Sequence, residues 1–158
     1  MGVFFAFEAL HGRSGHEVGR ELLAKLYHEA TGENCPEICI APLGKPYFAD
    51  SNWHFSISHT KNHAFCVVAD HPVGIDAEEI GRTLNPGLAT RYLSGSEQTR
   101  LCTEDALLRL WVLKEAYAKL SGKGIGNWLK TTDFDPCDPK IQIIDGCYVA
   151  ITEETHAV

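Results

Sequence analysis

The 158-residue chain has no apolar run long enough to cross a bilayer: nothing approaches the roughly 20 consecutive apolar residues that a spanning helix requires. It has no Cys-x-x-Cys pair either. Cys35, Cys39, Cys66, Cys102, Cys137 and Cys147 are scattered, which fits reduced thiols in a cytoplasm better than a disulfide framework. The opening MGVFFAFEALHGR lacks a basic run before its apolar stretch and lacks a small-residue cleavage pattern, so no signal peptide is expected. Ala6 stands where a myristoylation signal needs Ser or Thr. No fixed-period repeat and no low-complexity tract occurs. An overall positive charge is missing too, and a net −7 argues against a nucleic-acid binder.

What is present suits one folded domain. The length supports a single well-filled unit, or two small halves sharing a core, and 44% hydrophobic with 22% charged residues is a soluble composition. Charge is unevenly spread. Residues 82 to 130 hold eight Lys and Arg against four acids, which is +4, so the remainder carries −11. Such asymmetry steers an anionic ligand or acidic partner to one face, or is simply a solvated basic surface.

Local signals predict an α+β pattern. Val3 to Phe7 is strand-like. Ser14 with Glu17 forms a capping box, and Val18, Leu22, Leu23 and Leu26 keep helical spacing up to Gly32. Ile38 to Ile40 is a short strand candidate, followed by a turn-rich LGKP. HFSISH (54 to 59) and HAFCVVAD (63 to 70) predict a hairpin, and PVGIDAEEIG starts extended and ends in acid. After a loop holding Asn85-Pro86-Gly87, Ser94 and Glu97 make another capping box, and a helix is expected from about Glu104, after Thr103, to Gly122. Ile141 to Ile144 and Cys147 to Thr152 read as a terminal hairpin around Asp145-Gly146.

The helix raises a question. Ala106, Leu110, Leu113, Tyr117 and Leu120 form one apolar stripe that would seat it on a sheet; Leu108, Trp111, Val112, Glu115 and Lys119 lie opposite. Glu115 and Lys119, one turn apart, fit a surface ion pair. The large apolar residues beside them suggest a covered face instead. In extended chain Asp76 and Glu78 project together while Ala77 points away. They either cap a solvated strand edge or share a cation, and hard oxygen ligands favour Mg²⁺. With Glu115 as a third ligand, the metal would neutralise the covered carboxylate, and Lys119 would face phosphate oxygens.

Three histidines, His54, His59 and His63, offer a zinc alternative, but His54 and His59 point to opposite faces of a strand. His59, between Ser58 and Thr60, is a structural histidine or an anion contact. GKGIG at 122 to 126 is no phosphate loop: it lacks the long glycine spacing and follows a helix rather than preceding one.

Taken in order, GKP (44 to 46), FSISHT (55 to 60), VGIDAEE (73 to 79), RYLSGSE (91 to 97) and WVLKEAYAKLSGKGIG (111 to 126) make the chain resemble the 4'-phosphopantetheinyl transferases. About 70 residues precede the GID element, so the resemblance is to the surfactin-synthetase-type branch, in which two similar α+β halves form a pseudo-dimer with the site between them. It implies halves at 1–70 and 71–158 in one compact, cytoplasmic monomer. It also implies a reaction: coenzyme A gives its phosphopantetheine arm to a serine of an acidic apo acyl or peptidyl carrier protein, leaving adenosine 3',5'-bisphosphate.

Carried over, Asp76, Glu78 and Glu115 would hold Mg²⁺ against the pyrophosphate. Lys119 would contact the phosphate, Ser58 and His59 would grip the 3'-phosphate, and Lys45 would lie at the nucleotide. Lys114 would assist at the phosphates or the carrier while Trp111 packs. Glu115 or a metal-bound water would take the serine proton. Arg82, Arg91 and Arg100 would meet the carrier. The chain is short for this branch: its N-terminal cations for the 3'-phosphate are reduced to Arg13 and His16, and the tail after Trp128 has room for two or three strands. The competing classes are a coenzyme A-binding module without catalysis and an unrelated Mg²⁺-dependent phosphohydrolase.

Overall fold

The computed structural model describes residues 2–100 and 103–154; Cys102 therefore lies outside the described residues. The chain runs β1 (Val3–Ala9), α1 (Gly15–Thr31), β2 (Ile38–Ile40), β3 (Pro46–Phe48), β4 (His54–His59), β5 (His63–Ala69) and β6 (Val73–Glu79). It continues through α2 (Gly87–Tyr92), α3 (Gly95–Arg100), α4 (Glu104–Ser121), a 3₁₀ turn (Asn127–Thr131), β7 (Ile141–Ile144) and β8 (Cys147–Glu153). The class is α+β.

Two three-stranded antiparallel sheets, β1-β5-β4 and β6-β8-β7, share one wiring. In each, a strand is followed by helix and then by a hairpin whose last strand inserts at the centre. The period-two alternation of strands builds the layers. On β5, Ala64, Cys66 and Val68 face α1, where Val18, Leu22, Leu23 and Leu26 meet them. The intervening Phe65, Val67 and Ala69 face the other sheet, packing with Val73, Ile75 and Ala77 of β6 and Cys147 and Val149 of β8. Burial on both faces explains why HAFCVVA is apolar almost throughout. Tyr148 and Ala150, the alternate residues of β8, join Leu108, Trp111, Val112 and Ala116 of α4.

Helix ends follow the predicted caps. Ser14 accepts the Glu17 amide and Gly32 closes α1 in the left-handed conformation; Thr103 and Gly122 do the same for α4. Three features differ from the sequence reading. Pro46–Phe48 is a strand paired with β2, not only a turn. A short helix, α2, stands at 87–92, between the expected Asn85-Pro86-Gly87 loop and the Ser94 cap. The side of α4 seated on the sheet is the one bearing Leu108, Val112 and Ala116. The other side is buried as well: Leu110 and Leu113 are each 1% exposed or less, and Phe134, beyond the 3₁₀ turn, packs on Tyr117 with ring centroids 5.1 Å apart. Both sides of α4 are buried between Leu110 and Leu113, so a charge set among them, such as Lys114, needs a partner.

Among the described residues the five cysteines are free thiols, and no helix is long and apolar enough to cross a membrane.

Candidate active site

The site begins with a close approach. A Cβ on Gly74 would lie 2.1 Å from the Ala116 carbonyl oxygen and 2.6 Å from the Leu120 nitrogen, so only glycine lets α4 settle this near β6. Thr152 of β8, fully buried, donates its hydroxyl to Ala116 O at 2.9 Å, also within 3.3 Å of Gly74 O. This contact sets Glu115 and Lys119 of α4 over the α4-facing residues of β6, of which Asp76 is the next after Gly74.

Asp76 is 6% exposed. Its Oδ1 accepts from Lys119 Nζ at 3.3 Å and from the Ser58 hydroxyl at 3.2 Å, while Lys119 also donates to Ile57 O at 3.1 Å. Oδ2 is buried and has no hydrogen-bond partner among the described residues. Burial pushes the Asp76 carboxyl up to about 7; Lys119 opposes this, and the charges of Glu115 and Glu78 add to it. Glu115 is also raised, first by burial, with Lys119 lowering it and Glu78 raising it. Asp76 thus feels both glutamates, and Glu115 feels Glu78.

The three predicted metal ligands are not closed up. Among the described residues no three His, Cys, Asp or Glu side chains are gathered tightly enough to hold a metal. The carboxylate of Glu78 instead pairs with Arg82, four residues along in sequence. The donors still suit a hard divalent cation. An ionised carboxylate oxygen buried without a partner is costly, and a cation drawing on Asp76, Glu115 and Glu78 would relieve both its isolation and the mutual repulsion.

A cavity of about 380 Å³ opens beside Glu115, with Glu115 and Lys119 on one wall and His16, Arg20, Lys45 and His59 on the others; Asp76 and Glu78 do not line it. Cations thus line a space that two helices and the GKP turn enclose. The glycine at position 15 permits part of this: a Cβ there would lie 2.5 Å from Cγ of His59. Lys45 Nζ donates to Leu120 O at 2.8 Å, at the negative end of α4, and burial lowers its pKa. A second hollow, bordered by Lys61, Glu78 and Arg82, lies on the other side of His59.

The chain's match to a family model covers residues 72–156, described as the 4'-phosphopantetheinyl transferase superfamily. The chain belongs to that superfamily. Asp76, Glu78, Glu115 and Lys119 fall inside the matched stretch; His16, Arg20, Lys45 and His59 lie before it. Among curated proteins, the chain is 32% identical over 123 residues to the 4'-phosphopantetheinyl transferase psf-1 of Bacillus pumilus, covering 72% of this chain and 52% of that one. It is 35% identical over 88 residues to gsp of Aneurinibacillus migulanus (52% and 36% covered). It is 33% identical over 89 residues to Sfp of Bacillus subtilis strain 168 (52% and 39%). The chain thus spans about half or less of the length of these transferases.

Three predicted residues of the family site are placed elsewhere. Lys114 is fully buried and bound to Glu97 at 2.7 Å, with Leu129 O at 2.7 Å, Tyr92 O at 3.3 Å and Thr132 O at 3.4 Å as further acceptors. Burial depresses its pKa and Glu97 opposes that shift. In this structure its ammonium is taken up by that carboxylate and those three carbonyls. Glu97 in turn accepts the amides of Ser94 and Phe134, each at 2.8 Å, so the pair ties α3 and the 127–134 segment to α4. Arg13 pairs with Glu17 at 3.2 Å and Glu21 at 2.5 Å on the outer side of α1. Arg13 precedes the N-cap Ser14, whereas within α1 the helical period brings His16 and Arg20, four residues apart, to the cavity; Arg20 was legible from that i,i+4 spacing and was missed. Ser58 does not line the cavity, although its neighbours Ile57 and His59 do.

Proposed function

We propose that the chain transfers the 4'-phosphopantetheine arm of coenzyme A to a serine of an apo acyl or peptidyl carrier protein, with Mg²⁺, releasing adenosine 3',5'-bisphosphate. The observation that carries the reading is the unpartnered, buried Oδ2 of Asp76, whose other oxygen is held by Lys119, itself part of the wall of a cation-lined cavity.

Coenzyme A presents a 3'-phosphate and a pyrophosphate, and the reaction breaks the pyrophosphate. His16, Arg20, Lys45 and His59 would take the nucleotide end, held by charge-assisted hydrogen bonds. Asp76, Glu78 and Glu115 would hold the Mg²⁺, with Glu78 exchanging Arg82 for the ion. The cation supplies neutralisation of charge developing on the pyrophosphate. Lys119, free to swing from the Ile57 carbonyl, would stabilise the departing phosphate, since phosphoryl transfer depends on positioning and electrostatics. Glu115, whose affinity for protons burial raises, is the protein group offered for the proton of the attacking serine.

The shared wiring of the two sheets supports a pseudo-dimer with halves at 1–70 and 71–158, and with the site between them in one monomer. The hollow beyond His59, with Lys61 and Arg82 at its border, supports entry of an acidic carrier there, with Arg91 and Arg100 continuing the basic segment. Free thiols fit a cytoplasmic setting.

The test is incubation with coenzyme A, Mg²⁺ and a panel of apo carriers, read by intact mass. A carrier that gains the arm supports the proposal. Release of phosphate or hydrolysis of coenzyme A without a carrier would indicate a phosphohydrolase, and binding without transfer a non-catalytic module.

A further inference from the structure

Among the described residues, strand β8 makes two side-chain hydroxyl bonds to α4, one toward each end of the helix. Tyr148 donates to Asp105 Oδ1 at 2.6 Å, in the first turn. Thr152 donates to Ala116 O at 2.9 Å, on the residue that directly follows Glu115. Thr152 is fully buried, so its proton cannot go to water, and a buried hydroxyl left without an acceptor is costly. Two carbonyls are within reach, Ala116 O and, at 3.3 Å, Gly74 O; the nearer belongs to the helix.

The register explains how a strand side chain gets there. Thr152 is paired with Gly74 across β6 and β8, and a Cβ on Gly74 would lie 3.0 Å from the threonine Oγ1. The bare glycine lets α4 come close, and the hydroxyl beside it selects the carbonyl that meets the sheet. That choice fixes the rotation of α4 about its axis. Successive residues of a helix are turned by about 100°, so a partial rotation would carry Glu115 and Lys119 off the cavity wall they share.

We propose that Thr152 is a positioning residue for the transfer: by holding the Ala116 carbonyl it keeps Glu115 and Lys119 on the wall of the cavity. It does not itself line that cavity. The inference rests on the proposed function, through the roles given there to Glu115 and Lys119, and needs no bound cation.

The experiment compares Thr152→Val, which removes the hydroxyl and keeps the branched shape, with Tyr148→Phe, which removes the other hydroxyl bond between the same strand and helix. Transfer to an apo carrier is followed by intact mass at varied coenzyme A. Hydrogen exchange is read over residues 115–120, and affinity for adenosine 3',5'-bisphosphate by calorimetry. Thr152→Val is expected to lower kcat about 10- to 100-fold, the scale of a small misplacement of reacting groups, and to speed exchange over 115–120. KM for coenzyme A and affinity for the bisphosphate should hold, because His16, Arg20 and His59 stand on other elements. Tyr148→Phe should lower the melting temperature and leave kcat and that exchange intact. Should the valine variant fold poorly, Thr152→Ser and Thr152→Ala make the comparison: both lose the methyl, and only the serine, which keeps the proton, should retain kcat. The proposal is overturned if folded Thr152→Val keeps the wild-type kcat, if Tyr148→Phe loses kcat equally, or if the serine and alanine variants transfer alike. A wild-type chain that modifies no carrier would sink the proposed function, and this role with it.

Discussion

Lys119 Nζ stands 3.3 Å from Asp76 Oδ1 and 3.1 Å from the Ile57 carbonyl, so one ammonium joins α4 to strands β4 and β6. Its attraction for Asp76 does not outweigh burial: the carboxyl is pushed up to about 7.

That shift has a sign. Unfolded, Asp76 ionises near its ordinary 3.8; folded, it keeps its proton up to about 7. Between the two the native state binds more protons than the unfolded state. This group's contribution to stability is therefore full below the lower value and is lost as pH climbs to the upper one. Melting curves in chelator from about pH 4 to about pH 8 should show wild-type stability falling more steeply than that of Asp76→Asn. His71, raised by Asp70 and Glu153, acts in the same direction at the upper end and is common to both proteins. Mg²⁺ added at the high end should raise the melting temperature of the wild type and not of Asp76→Asn. Equal slopes in the two proteins would contradict the burial argument.

Gly74→Ala places a methyl 2.1 Å from Ala116 O and 2.6 Å from Leu120 N, both backbone atoms that no side-chain rotation can move. Overpacking of this kind costs about 1–3 kcal/mol and shifts the helix. Expected are a lower denaturant midpoint and weaker divalent-cation binding by the folded fraction, because Glu115 and Lys119 move away from Asp76. An unperturbed midpoint would show that α4 can yield there.

Lys114→Met leaves Glu97 charged and buried, which costs about 3–5 kcal/mol. Adding Glu97→Gln should recover part of that loss, and the folded fraction of the double variant should bind adenosine 3',5'-bisphosphate like the wild type. A selective loss of nucleotide affinity with stability intact would restore Lys114 to the phosphates.

Arg20→Ala and Arg13→Ala separate the two arginines of α1. Arg20 lines the cavity and Arg13 is committed to Glu17 and Glu21. Removing Arg20 should raise KM for coenzyme A about 10-fold, the scale of one charge-assisted hydrogen bond, whereas Arg13→Ala should leave it unchanged. The reverse order would return the 3'-phosphate contact to Arg13.

Much of the scaffold was legible because its signals are local. Ser14, Gly32, Thr103 and Gly122 mark helix ends through bonds spanning three or four residues, and the alternation of Asp76 with Ala77 follows from strand geometry alone. What stayed hidden depends on residues distant in the chain. Nothing near Lys114 announces that Glu97 and three carbonyls await it. Nothing in FSISH says that the proton of Ser58 goes to a carboxylate 18 residues on. The seating side of α4 was obscured because both sides are apolar, and their difference comes from Gly74, which lies outside the helix.

The most direct test is the intact mass of an apo carrier after incubation with coenzyme A, Mg²⁺ and either wild-type protein or Glu115→Gln. The account predicts arm transfer by the wild type and a loss of at least about 100-fold in rate for the variant, with its circular dichroism spectrum retained. Full transfer by a folded Glu115→Gln would contradict the claim that Glu115, Asp76 and Lys119 form one working site.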